Sequence, residues 1–165
     1  MSNGCCCCRE KKVSLGPEDS STLCPVCRKP GVKVKNITVK HLVADEFIDQ
    51  VGNADYYLCM NEGCEVVYYN LKLAVKFDKK QIRVPVWFKK DADPKYVCYC
   101  SRVTEEEVIA AVVKNGASTV EDIVNLTGAM KNARCQVNNP LGKCCHPAIR
   151  AAIEKGLAVN NQSSV

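Results

Sequence analysis

The sequence predicts an α+β chain in which a small β-rich unit precedes a helical one. Residues 31–88 gather β-branched and aromatic residues in short runs: VKVKNITVKHLV, YYLC, EVVYYNLKLAV and IRVPVWF. Such runs suit strands of a half-buried sheet. From Thr104 onward the apolar residues fall at helical spacing between start and stop signals. The third observation is sulfur. The chain holds 13 cysteines in 165 residues, far above ordinary usage.

Taken in order, residues 1–22 read as a disordered tail carrying Cys5, Cys6, Cys7 and Cys8. Residues 23–90 form the β unit, and its polar end, KKDADPK, suits a linker. Residues 91–158 form the helical unit. TEEEVIAAVVKNG has Thr104 and Glu107 in capping-box positions and Gly116 as its stop. STVEDIVNLTG repeats the scheme with Ser118, Glu121 and Gly128. HPAIRAAIEKGL gives a third helix, with Pro147 in its first turn and Gly156 at its end. Residues 159–165 read as a second disordered tail.

The N-terminus shows no apolar core or cleavage site of a secretory signal, and no apolar run is long enough to cross a bilayer. The expectation is a cytoplasmic protein without membrane insertion, in a compartment where thiols stay reduced and clustered cysteines hold metal. An odd cysteine total argues against a disulfide scaffold.

In the β unit, CPVC (Cys24, Cys27) and CMNEGC (Cys59, Cys64) are two close pairs separated by strand-forming sequence, a zinc-ribbon plan. Four thiolates fill a tetrahedral Zn²⁺ shell, and a closed shell of this kind is structural. A thioredoxin-like pair is the rival for CPVC, but it needs a following helix, and RKPG breaks one. His41 reads as a structural residue in a strand.

The helical unit carries Cys98 and Cys100 one residue apart, Cys135 after its second helix, and Cys144 and Cys145 opening its third. Such a spacing is too short for an ordinary disulfide and outside the usual zinc knuckle. An oxidised 2Fe–2S centre with four thiolates carries about −2, and backbone N–H groups at helix starts suit that anion. Neighbouring thiols of one loop can bind a single iron, which makes C-x-C apt for a cluster.

The order C-x-C, about 34 residues, then a second cysteine group before a helix resembles the 2Fe–2S domain of bacterioferritin-associated ferredoxin. That module closes its set with C-x-x-C, whereas here QVNNPLGK separates Cys135 from the next cysteines. With this variant, CPVC, CMNEGCEVVYY, DADPKYVCYC and NNPLGKCC together are similar to the N-terminal domain of CopZ-type copper chaperones over residues 24 to 156. The resemblance implies that Cys98, Cys100, Cys135 and Cys145 hold a 2Fe–2S cluster, with Cys144 spare and Ile149 the first buried residue of the last helix. It also implies one-electron transfer linked to copper or soft-metal handling, with reduction of Cu(II) to Cu(I). The expected partners are copper ions and a redox or copper-transport protein. The M-x-C-x-x-C copper loop of such chaperones does not occur in the sequence. Cys5–Cys8 is the remaining soft-donor group suited to Cu⁺.

Two other functional classes were weighed. A redox or metal sensor would use the same centres to control a protein partner. A nucleic-acid binder would exploit the formal charge of +5, but two centres of about −2 each reduce this to roughly +1. Lys95, Arg102, Lys131, Arg134, Lys143 and Arg150 flank the cluster cysteines without an aromatic stacking platform, which disfavours nucleic acid. No catalytic set appears: neither His41 nor His146 has a convincing nucleophile or carboxylate partner in sequence.

Overall fold

The computed structural model describes residues 22–163. An antiparallel sheet comes first and helices follow, so the chain is α+β as the sequence predicts. The sheet runs β1 (Gly31–Val34), β2 (Tyr56–Cys59), β3 (Val66–Asn70) and β4 (Val75–Asp78) in that order, each antiparallel to its neighbour. A two-stranded ribbon, β5 (Tyr96–Cys98) with β6 (Val103–Thr104), leads into the helices.

All of β3 is buried, and its VVYYN sequence accordingly reads as continuous rather than alternating. It supplies Val67 and Tyr68 to the main sheet core, with Val34, Leu58, Phe77 and Val86. Across a register shift between Val66 and Tyr68, it supplies Val66 and Tyr69 to a smaller cluster containing Cys24, Cys59 and Cys64. Two of the expected strands are absent. The stretch NITVKHL folds as helix α1 (Asn36–Leu42), which includes His41. Thr38, Val39 and Leu42 form its buried face, and the Asn36 amide is anchored on the Gly52 and Ala54 carbonyls. Tertiary packing thus overrides the β preference of Ile, Thr and Val. IRVPVWF forms only an isolated bridge, Ile82 with Val43, because the chain bends at Arg83 and Val84, turns at Trp87 and Phe88, and has no N–H to donate at Pro85 between them.

Helices α2 (Glu105–Asn115), α3 (Val120–Thr127), α4 (Cys135–Asn138) and α5 (His146–Gln162) make up the second part. The Thr104–Glu107 capping box forms as expected, and Gly116 and Gly128 end α2 and α3 in the left-handed conformation. The second box is shifted by one residue: Thr119 caps α3 with Asp122, in place of Ser118 with Glu121. Gly156 does not stop α5. It is buried against α2, where an added Cβ would lie 2.8 Å from Val112 Cβ, so its role is close approach. The helix continues to Gln162, replacing the disorder predicted from residue 159, and the Asn160 amide reaches the Val112 carbonyl.

The predicted linker is also ordered at its start. Lys89 is 1% exposed, the Lys90 N–H bonds the Glu62 carbonyl, and Asp91 pairs with Lys79. The two parts touch elsewhere too. Tyr68 Oη donates to the Pro140 carbonyl, Thr38 Oγ1 donates to the Gln136 carbonyl, and Leu141 packs on the main sheet core.

Candidate metal centres

The CPVC turn owes its shape to two backbone bonds, Arg28 N–H to the Cys24 carbonyl and Cys24 N–H to the Lys29 carbonyl, with Arg28 at φ 60°. Opposite it, Cys64 N–H bonds the Asn61 carbonyl in the turn that follows β2. These turns bring the sulfurs of Cys24, Cys27, Cys59 and Cys64 within 4.8 Å of one another. Cys27 and Cys59 are 3.5 Å apart and Cys24 and Cys64 3.9 Å apart. Tetrahedral Zn–S bonds of about 2.3 Å require S···S separations of about 3.8 Å. The donor set therefore fits one thiophilic ion. Burial opposes ionisation of Cys27, but bonds from the Lys29 backbone, the Asn61 side chain and the neighbouring thiols bring it down to about 6. Burial pushes Cys59 and Cys64 up instead, as expected for sulfurs that shed protons only when a metal replaces them.

Lys89 was not singled out by sequence, since nothing there separates it from Lys90. Its Nζ donates to the Asn61 carbonyl at 2.8 Å and the Val66 carbonyl at 2.9 Å, each two residues past a cysteine of the set. Burial lowers its affinity for the proton, and the four nearby sulfurs raise it. Buried charge of this kind needs a counter-charge, and the thiolates supply it.

The second sulfur group is arranged as two pairs. Cys100 and Cys135 lie 3.7 Å apart, and Cys98 is hydrogen-bonded to Cys145. C-x-C therefore sends its two sulfurs toward different partners, Cys98 toward Cys145 and Cys100 toward Cys135. The physical reason is that β5 ends at Cys98 and the chain turns over residues 99–102: along a continuing strand residues 98 and 100 would share a face, whereas the turn leaves Cys98 buried toward α5 and Cys100 facing the start of α4. Among the described residues, the Cys24 set is the one group with three or more such atoms within 4.8 Å. A pairwise arrangement suits a two-iron centre with two thiolates per iron.

Local donors were missed by sequence as well. Met130 N–H points at Cys98 Sγ (3.4 Å) and Arg134 N–H at Cys100 Sγ (3.1 Å). Ser101 Oγ is buried without a partner of good hydrogen-bond geometry, a donor that a sulfur-rich anion beside Cys98 would satisfy. The bond from the Cys145 thiol, against opposing burial, holds Cys98 down at about 5, while the same bond pushes Cys145 up. Burial, then the charge of Cys100, raises Cys135 to about 12. Cys145 caps α5 and is 2% exposed; Cys144 is half-buried, and its charge is felt by both Cys135 and Cys145. Ile149 is fully buried, as the sequence led us to expect. His41 bonds the Ile37 carbonyl of its own helix and stands apart from both sulfur groups. Cys5–Cys8 lie outside the described residues.

An antiparallel sheet with a four-sulfur knuckle, followed by helices around paired thiols, defines a class of two-centre, metal-binding α+β protein. Two family models match, a zinc binding domain over residues 21–83 and a BFD-like [2Fe-2S] binding domain over residues 96–155. The crystal structure of the CopZ N-terminal domain from Archaeoglobus fulgidus is 37% identical with a TM-score of 0.66, covering 78% of this chain and 95% of that one. The copper chaperone CopZ of the same organism is 40% identical over 123 residues, 74% of this chain and 57% of that protein. The chain belongs to the family of CopZ N-terminal domains. It spans little more than half the length of the curated relative it matches. No helix among the described residues is long and apolar enough to cross a membrane.

Proposed function

We propose that this chain is a cytoplasmic one-electron carrier in copper or other soft-metal handling, with Zn²⁺ at Cys24, Cys27, Cys59 and Cys64 and a 2Fe–2S cluster at Cys98, Cys100, Cys135 and Cys145. On this reading residues 23–90 are the zinc domain and residues 91–158 the cluster domain. The zinc shell is closed and structural, tying the CPVC turn to the sheet where the core is small. When bound, the cluster supplies one electron per cycle, enough to convert one Cu(II) to Cu(I). The chain's own residues hold the sulfurs in pairs, direct two backbone N–H groups at them and bury one pair from water. Cys5–Cys8 would retain Cu⁺, and a copper-transport protein would receive it.

The pairing of Cys98 with Cys145 and of Cys100 with Cys135 carries this reading. The likeness to a copper chaperone supports the choice of metal. The test is metal analysis and visible absorption of anaerobically purified protein, followed by titration of the reduced form with Cu(II) and a chromophoric Cu(I) chelator. One zinc and two irons per chain, and one Cu(I) per cluster, are expected. Iron-free protein, or reduced protein inert to Cu(II), would refute it.

A further inference from the structure

The two sulfur pairs of the proposed cluster differ in exposure. Cys98 and Cys145 are buried, whereas Cys100 and Cys135 are partly open to solvent. Because electron tunnelling weakens steeply with distance, an electron would cross at the Cys100–Cys135 edge. The charges carried by the segments that form that edge are all of one sign. Residues 94–104 and 123–153, which bear the cluster cysteines, contain no Asp or Glu. Arg102 lies two residues from Cys100, Arg134 adjoins Cys135, Lys143 adjoins Cys144, and Lys131 follows the Met130 N–H that meets Cys98.

All four of these side chains are exposed, and among the described residues none forms an ion pair. Some cations elsewhere are paired, Lys79 with Glu65 and Asp91, Arg83 with Asp45 and Lys155 with Glu105, and others, such as Lys72 and Lys114, form no ion pair among the described residues. The loops presenting them are set firmly. Arg102 and Met130 adopt left-handed backbone at φ 53° and 63°, which non-glycine residues ordinarily avoid. Against an oxidised cluster of about −2, four cations leave a local excess of about +2. Such an edge attracts an anionic surface. The nearby aromatics, Tyr96 and Tyr99, pack on each other, and Tyr99 is buried, so no platform is presented to stack bases.

We propose that the Cys100–Cys135 edge, ringed by Arg102, Lys131, Arg134 and Lys143, docks an acidic electron-transfer protein. The proposal rests on the cluster reading above and adds the kind of partner and the place where it binds. One electron crosses between the partner's redox group and the cluster; no proton or atom moves with it.

The test mixes reduced, cluster-loaded protein with two ferric haem probes in stopped flow, an anionic b-type and a cationic c-type cytochrome. Ionic strength is varied from roughly 10 to 300 mM, across which the Debye length falls from about 30 Å to about 6 Å. With the anionic probe the second-order rate constant should fall by about tenfold or more, and with the cationic probe it should rise. The Lys131→Glu/Lys143→Glu variant should lose about tenfold with the anionic probe at low salt, with its visible spectrum intact. Lys72→Glu/Lys114→Glu makes the same change in net charge at exposed sites away from the cluster segments and should have little effect. Equal effects of the two double variants, a salt-independent rate, or a change wholly accounted for by a shifted reduction potential would overturn the proposal and leave the cluster reading intact. Tighter binding to short duplex DNA than to the anionic cytochrome at matched ionic strength would overturn it as well. A colourless, iron-free preparation would remove both.

Discussion

Replacing Lys89 with methionine should weaken zinc binding without touching a metal ligand. The ammonium is 1% exposed and donates at 2.8 and 2.9 Å to the carbonyls of Asn61 and Val66. Each such charged bond contributes about 1.5–3 kcal/mol net, and methionine leaves both buried acceptors unmet. It also removes the attraction between the ammonium and a zinc–tetrathiolate centre of about −2. Against this, the variant escapes the cost of burying an ammonium, several kcal/mol on its own. With zinc bound, the losses win, and we expect destabilisation of about 3 kcal/mol, the range for breaking a buried charge pair. Without metal the thiols of Cys59 and Cys64 are neutral, since burial pushes both up. Cys27, held at about 6, stays a thiolate at neutral pH, so the ammonium keeps about one unit of counter-charge where the loaded centre offers about two, and the substitution costs about 0.5–1 kcal/mol. The difference between the two states must appear as zinc affinity, about 30- to 100-fold weaker. Competition with a chromophoric chelator measures this directly, and denaturant unfolding with and without zinc measures the two stabilities. Lys90→Met, its exposed neighbour, is the control. Zinc affinity in the Lys89 variant within about threefold of the parent would refute the counter-ion argument.

Three further outcomes are expected. Cys145→Ser should abolish the visible absorption of the cluster while Cys144→Ser retains it, because only Cys145 is bonded to Cys98. In cluster-free, reduced protein, ultraviolet thiolate absorbance should include a component titrating near pH 5 that is lost in Cys98→Ser, apart from that of Cys27 near 6. A thiol held at about 5 against an ordinary 9.0 contributes stability that is complete above about pH 9 and is lost as pH falls toward 5. Gly156→Ala should destabilise the fold by up to about 2 kcal/mol despite a gain of about 1 kcal/mol in helix propensity, since overpacking costs more. Its Cβ would lie 2.8 Å from that of the fully buried Val112, and thermal melts should show part of the loss recovered by Val112→Ala.

What could be read in the sequence was local chemistry at fixed spacing. Thr104 and Glu107 cap α2 as they would in an isolated peptide, and the glycines at 116 and 128 need only their own backbone. The Cys24, Cys27, Cys59 and Cys64 set was legible because each knuckle turn is short, with two residues between the first pair of thiols and four between the second. Features decided by packing were not. Gly156 carries the same signal as a helix stop, yet its neighbour Val112 makes it a contact residue inside α5. NITVKHL has β-branched composition, but residues 38, 39 and 42 find a helical face to bury. Lys89 and Lys90 are indistinguishable until the sheet closes over one of them. The splitting of Cys98 and Cys100 between two pairs depends on where β5 ends and where α4 and α5 begin.

The segment between Cys135 and Cys145 explains why this chain departs from the C-x-x-C spacing, and yields a last prediction. Residues 136–141 lie against the sheet part: Thr38 Oγ1 meets the Gln136 carbonyl, Tyr68 Oη meets the Pro140 carbonyl at 2.6 Å, and Leu141 enters the main core. Gly142, at φ 64°, passes so close that an added Cβ would be 2.6 Å from Thr38 Oγ1. Both ends of this segment bear a sulfur of the proposed cluster, so the contacts with the sheet part would set the separation between Cys135 and Cys145. Tyr68→Phe removes one buried bond and leaves a carbonyl unmet, for about 1–2 kcal/mol. If the segment braces the cluster, that loss should be accompanied by a changed electron paramagnetic resonance spectrum of the reduced form and faster cluster loss under chelation. Val67→Ala, on the same strand but with no bond to the segment, should lower stability by a comparable or larger amount. Its spectrum should be unchanged. Identical spectra and cluster lifetimes in the two variants would mean that the sheet merely adjoins the cluster and does not brace it.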